Sequence, residues 1–174
     1  NSCFIVRYLL EKANDTEKAV SLLMNLPRAS NCNILLADKS GNMVVVECTP
    51  TLKKVREAEI FHGNRIVCTV NSFTSDEMKP YDDANGNDYD SHKRYKVVID
   101  SFSSGKIREN YIATTEQLLK GDYGFMCQYD KEPDFETVWS SIFDLESLAI
   151  YRAEGDPRKK KFISDNRLRD LKFK

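Results

Sequence analysis

At 174 residues, 41% hydrophobic and 30% charged, the chain is long enough to bury a core and has neither a fibrous nor a disordered composition, so a single domain over 1–174 is expected. A formal net charge of −1 gives no bulk attraction for nucleic acid or an anionic membrane, and neither is expected as a partner. The apolar runs fall well short of the ~20 residues that a membrane helix needs, and the opening carries no signal-peptide pattern, which makes a cytoplasmic protein the expectation.

The chain opens on Asn1-Ser2 without Met and enters a helical pattern within a few residues, which reads as a fragment or a processed chain. Ile5, Val6, Leu9 and Leu10, then Ala19, Val20, Leu22, Leu23 and Met24, recur at helical spacing and predict two short helices. Asp15 is placed to cap the second, Glu17 lies in its first turn, and Pro27 stops it. The period then changes. Cys32 to Ala37 and Met43 to Cys48 are continuous apolar runs on either side of Asp38-Lys39-Ser40-Gly41-Asn42, and predict a β-hairpin. Ile34-Leu35-Leu36 and Val44-Val45-Val46 offer apolar groups to both faces, so this sheet should be covered on both sides. A third strand over Leu52–Glu57 and a fourth over Arg65–Val70, joined by His62-Gly63-Asn64, would extend it. Thr74 to Asp90 reads as a long polar loop, Arg94–Phe102 and Tyr111–Leu119 as helices, and Glu136–Leu145 with Leu148–Arg152 as a last strand pair.

Two segments carry the chemistry. In Thr69-Val70-Asn71-Ser72-Phe73, Asn71 would project from a strand end, where an amide N–H can meet a developing oxyanion; the plainer alternative is a turn residue. In Ser91-His92-Lys93-Arg94-Tyr95, Arg94 would set a guanidinium at a helix start, or simply be solvated there. Glu47 and Asp38 read as hairpin-end residues that manage turn and edge polarity. Cys3, Cys32, Cys48, Cys68 and Cys127 make an odd count with no Cys-x-x-Cys pair, which fits reduced thiols. Cys3 reads as a half-buried helix residue, and the other four as inert core thiols. Tyr81 to Asp90 is acidic, but with Gly86 at the glycine of an EF-hand loop Tyr81 falls at the first ligand and His92 at the twelfth, so calcium chemistry fails. A flexible acidic loop near a substrate mouth is expected there instead. His62 and His92 lack ligand spacing, and no metal or cofactor is expected. The basic run Arg158-Lys159-Lys160-Lys161 reads as a solvated surface segment.

Taken together and in order, Leu26-Pro27-Arg28-Ala29-Ser30-Asn31-Cys32-Asn33-Ile34-Leu35-Leu36-Ala37-Asp38, Ser40-Gly41-Asn42, Val45-Val46-Glu47, Asn71-Ser72-Phe73, Ser91-x-x-Arg94-Tyr95 and Thr137-Val138-Trp139-Ser140-Ser141 resemble the autoproteolytic acyltransferase and amide hydrolase family. That family includes the acyl-coenzyme A:6-aminopenicillanic acid acyltransferases and is related to the choloylglycine hydrolases and penicillin V acylases of the N-terminal nucleophile superfamily. The resemblance implies an α+β fold, an αββα sandwich of two antiparallel sheets with outer helices. It implies an N-terminal Cys, exposed by self-cleavage, that attacks a linear amide and forms a thioester, with its own α-amine as general base. Asn71 matches the family's Asn at the oxyanion and Arg94 its Arg near the sulfur. Ser72 stands where many members carry His. The chain's opening matches the family's helical middle, so the nucleophile-bearing segment is expected to be missing from it. A small-molecule amide substrate is the implied ligand, with a companion N-terminal chain or a homo-oligomer as the implied assembly. The alternative is a non-catalytic remnant or interaction module that pairs with another chain through exposed sheet edges.

Overall fold

The computed structural model describes residues 2–82, 89–105, 107, 110–129 and 136–167. They form four α-helices and three small antiparallel sheets, an α+β arrangement in two compact units, Asn1–Ser103 and Ser104–Lys174. No helix among these residues is long and apolar enough to cross a membrane.

The first unit opens with α1 (Ser2–Lys12) and α2 (Thr16–Asn25). Asp15 caps α2 as expected, its side chain accepting from the Lys18 N–H at 2.7 Å. Next come β1 (Cys32–Ala37), β2 (Met43–Cys48) and β3 (Lys53–Glu57), which form one sheet in that order. The first hairpin has the expected bounds, with Cys32 opposite Cys48 and Ala37 opposite Met43. Its turn depends on Asp38, whose carboxylate accepts from the N–H groups of Ser40 at 2.8 Å and Asn42 at 3.3 Å. The same carboxylate accepts from the Thr16 N–H at 3.0 Å and so ties the turn to the start of α2. That bond, opposed by burial and supported by the Thr16 hydroxyl and by the Ser40 and Asn42 N–H groups, holds the Asp38 carboxyl down at about 2.

Strand alternation divides the side chains of this sheet between two faces. Ile34, Val44, Val46 and Cys48 pack with Leu9 and Leu23 under the helices, and Cys32, Leu36 and Val55 join them. Full burial of one such Leu contributes about 1.5–3 kcal/mol. On the opposite face lie Asn33, Val45, Glu47 and Arg56, and Val45 and Glu47 are buried there as well. Both faces of β2 are therefore covered, as its unbroken apolar run requires.

Two expectations need correction here. The apolar run to Val70 is strand only as β5 (Asn64–Ile66), which pairs with β4 (Glu59–Phe61) in a separate two-stranded sheet rather than extending the first. His62 and Gly63, with φ of 48° and 84°, make the left-handed two-residue turn that a tight hairpin needs. Beyond Ile66 the backbone leaves the ladder because side chains satisfy it instead: the Arg56 guanidinium donates to the Cys68 carbonyl and the Asn33 amide to the Val70 carbonyl. The unit ends with α3 (Ser91–Ser103), three residues longer at its start than its hydrophobic period indicates.

In the second unit, α4 (Tyr111–Lys120) lies against β6 (Trp139–Asp144), which pairs with β7 (Ala149–Glu154) and through it with β8 (Ile163–Ser164). The expected last strand pair is present, shorter at its start. Asn110 caps α4, accepting from the Ala113 N–H at 3.1 Å. At the other end Gly121 has φ of 83°, and the Tyr129 ring occupies the space a Cβ would need. The run from Arg158 to Lys161 is exposed as expected, with Arg158 stacked over Tyr129 at 4.3 Å.

Candidate active site

Asn71 belongs to a loop held over the face of the first sheet opposite the helices by side chains from all three strands. From β1, Asn33 Nδ2 donates to the carbonyls of Val70 at 2.8 Å and Ser72 at 3.0 Å, which straddle Asn71. From β2, the Glu47 carboxylate accepts from the Thr74 N–H at 2.8 Å and hydroxyl at 2.7 Å, and from the Ser75 N–H and hydroxyl. From β3, Arg56 Nε lies 3.4 Å from Glu47 Oε1, and its guanidinium also reaches the Cys68 carbonyl and stands 5.9 Å from the Tyr95 ring. At the far end the Phe73 N–H donates to both Asp82 carboxylate oxygens, at 2.9 and 3.1 Å. Burial pushes the Glu47 carboxyl up, yet the hydrogen bonds from Ser75 and Thr74 outweigh it and the net shift is downward. The carboxylate is thus the ionised anchor of the loop.

Asn71 and Arg94 are brought together. Arg94 Nη2 donates to Asn71 Oδ1 at 2.7 Å, and Ser91 Oγ accepts the Asn71 backbone N–H at 3.1 Å. Arg94 Nε donates to the Tyr89 carbonyl at 3.1 Å, and Nη2 lies 3.4 Å from Ser91 Oγ. Tyr89 and Asp90 both take left-handed backbone, with φ of 49° and 58°, and this sharp entry to α3 turns the Tyr89 carbonyl toward the guanidinium. Because Arg94 can only donate, it fixes which amide atom faces it. Asn71 Nδ2 is left pointing away, on an exposed residue, and donates to no partner among the described residues. The side-chain amide, rather than the occupied backbone N–H, is the available donor. Asn71 follows four residues of irregular backbone, so it does not sit at a strand end as the sequence predicts.

The cysteines separate by environment. Cys68 is near both Arg56 and Arg94, but burial dominates over those charges and raises its thiol to about 11. Cys3 is exposed on α1 rather than half-buried, because the inward stripe of that helix runs through Ile5 and Leu9. Cys32 is only partly buried, whereas Cys48 is fully buried, and it is considered below. Glu47 corrects a further expectation: it is not an edge-polarity residue but lies 1% exposed on the central strand. Its position between Val46 and Cys48, in a strand apolar on both faces, was the available signal, since an acid there must be buried and partnered. Ser91 and Asn33 left no comparable signal. Residues 83–88 of the acidic loop lie outside the described residues.

No curated protein matches the chain. The model of the family described as acyl-coenzyme A:6-aminopenicillanic acid acyl-transferase matches residues 1–159, a span that holds Asn33, Glu47, Asn71, Ser91 and Arg94. The chain therefore belongs to that family, and membership points to an acyltransferase or amidase-type enzyme.

Proposed function

We propose that this chain forms part of a cysteine-nucleophile amidase or acyltransferase that acts on a linear amide through a thioester, with Asn71 as the oxyanion donor. The observation that carries this reading is the 2.7 Å bond from Arg94 Nη2 to Asn71 Oδ1, which presents Asn71 Nδ2 as a fixed donor before any reaction begins. A donor held in place in this way needs no reorganisation as negative charge develops.

In the proposed reaction a cysteine sulfur attacks the amide carbonyl while the α-amine of the same residue takes the thiol proton. The carbonyl oxygen gains charge and accepts from Asn71 Nδ2. Collapse of the intermediate expels the amine with a proton, and water or a second amine then takes the acyl group from the thioester. The positive charge of Arg94 beside this amide favours the thiolate. The nucleophile is assigned to a segment outside this chain, exposed by self-cleavage at an N-terminal Cys. Cys68, the cysteine whose environment includes Arg94, carries a thiol raised to about 11 and does not fit the role. Exposed Phe4 and Leu10 on α1, each 76% accessible, support a companion segment or second chain. With that segment the described sheets would complete an αββα sandwich. Penicillins, bile-salt conjugates, N-acyl amino acids and peptides are linear amides of the proposed substrate class.

Hydroxylamine interception tests the thioester. The complete protein, supplied with a panel of these amides, is expected to release amine and to convert part of the acyl product to hydroxamate when hydroxylamine is present. Amine release with no hydroxamate would remove the thioester, and no amine release from any member of the panel would remove the amidase reading.

A further inference from the structure

On the helix-covered face of the first sheet, away from Asn71, Cys32 and Cys48 are direct partners in the β1–β2 ladder. Residues opposite each other in an antiparallel pair stand about 4.5–5.5 Å apart at Cα, and their side chains leave the sheet on the same side. A disulfide spans Cα separations of about 4.4–6.8 Å, so the ladder holds these two residues in bridging register. Both are free thiols; Cys48 is fully buried, while Cys32 keeps partial access to solvent.

The surroundings of Cys32 are electropositive. Arg28, between α2 and β1, donates through Nη2 to Cys32 Sγ. The Nε and Nη1 of the same guanidinium are buried with no hydrogen-bond partner among the described residues. Buried donors left unsatisfied are costly, and negative charge on the adjacent sulfur is what would offset them. Lys53, opposite Cys48 on β3, adds a second cation at the same end of the sheet, where its Nζ donates to the carbonyls of Met24 at 2.8 Å and Leu26 at 2.6 Å. The neighbouring Cys48 thiol, opposed by burial and supported by Arg28, lowers the Cys32 thiol to about 7. Cys48, whose Sγ lies 3.6 Å from the Val46 carbonyl, moves up, first through the neighbouring Cys32 and then through burial.

We propose that Cys32 and Cys48 form a reversible dithiol–disulfide site oxidised by a hydroperoxide, with Cys32 as the attacking thiolate and Cys48 as the resolving thiol. The Cys32 sulfur attacks the outer peroxide oxygen, the O–O bond breaks, and the remaining oxygen leaves as an alcohol, or as water from hydrogen peroxide. Cys32 is then a sulfenic acid. Cys48 attacks the sulfenyl sulfur, the S–O bond breaks, and the departing hydroxide leaves as water with the Cys48 proton. Two thiols have lost two electrons to one peroxide bond. A small dithiol reverses the change by exchange and becomes a disulfide itself. Because the ladder already pairs the two residues, the bridge forms without a change of strand register.

Peptide mapping decides the matter. The reduced source protein is treated with hydrogen peroxide at neutral pH, remaining thiols are blocked with iodoacetamide, and the tryptic digest is read by mass spectrometry. Cleavage after Arg28, Lys39 and Lys53 places the two cysteines on separate peptides, 29–39 and 40–53. The expected product is this pair joined and lighter by two hydrogens, returning to two free peptides after dithiothreitol. Recovery of both peptides alkylated, Cys32 in a higher oxide without a link, or Cys32 joined to another cysteine would each overturn the proposal. In untreated protein, Arg28→Leu is expected to slow alkylation of Cys32 by about five-fold or more, with Arg28→Lys restoring most of the rate. An unchanged rate in Arg28→Leu would overturn the assignment of Cys32 as the attacking thiolate.

Discussion

Replacing Glu47 by Ala is expected to cost about 3–5 kcal/mol of stability, because the change leaves a charged partner unpaired inside the protein. Glu47 is 1% exposed, and the side chain of Arg56, 3.4 Å away, is 15% exposed. Removing the carboxylate also strands the N–H and hydroxyl groups of Thr74 and Ser75. Glu47→Gln keeps the shape and one acceptor and should cost less than the alanine change. The sign of the pH dependence follows from the depressed carboxyl. The folded protein binds this proton more weakly than the unfolded chain, so the contribution is complete at neutral pH. It diminishes as the pH falls below the ordinary value of 4.5 and through the lower folded value. Chemical denaturation of wild type and Glu47→Ala at neutral and acid pH checks both points: the gap should be wide at neutral pH and narrow in acid. A difference below about 1 kcal/mol at neutral pH, the range of an exposed pair, would remove Glu47 as the anchor of the Asn71 loop.

Asn71→Ala is expected to lower kcat by about 10²–10³ in the complete protein, the loss typical when one oxyanion donor is removed. Folding should be retained, because Asn71 is exposed and its backbone bond to Ser91 Oγ does not depend on the side chain. Asn71→Asp sharpens the test. It keeps an oxygen for Arg94 but replaces the outward donor with an acceptor that repels the oxyanion, so it should be at least as damaging as Ala. Melting temperature and kcat measured on the same samples separate the two roles. Unchanged kcat in Asn71→Ala would end the oxyanion assignment, and a loss of kcat that follows a fall in melting temperature would make Asn71 structural.

The first hairpin was legible because its turn chemistry is local: Asp38 bonds its own following N–H groups, and Gly41 takes the left-handed position with φ of 83°. The same holds for the Asp15 cap. Arg65–Val70 misled because an apolar run reports burial, not pairing, and Cys68 and Val70 are satisfied by Arg56 and Asn33 from distant strands. Asn71 and Arg94 could be singled out by residue type and by resemblance. Their contact could not, since it needs the backbone reversal at Tyr89-Asp90, where neither residue is a glycine that would advertise positive φ. Cross-strand register brings Cys32 to Cys48, and the 15 residues between them give no sign of it without the hairpin.

Denaturing intact-mass measurement of the purified source protein, before and after incubation with a linear amide that it turns over, tests the account most directly. The account predicts a polypeptide whose first residue is Cys, which gains the acyl mass during turnover and loses it to hydroxylamine. A single species with no acyl adduct at any cysteine would contradict it.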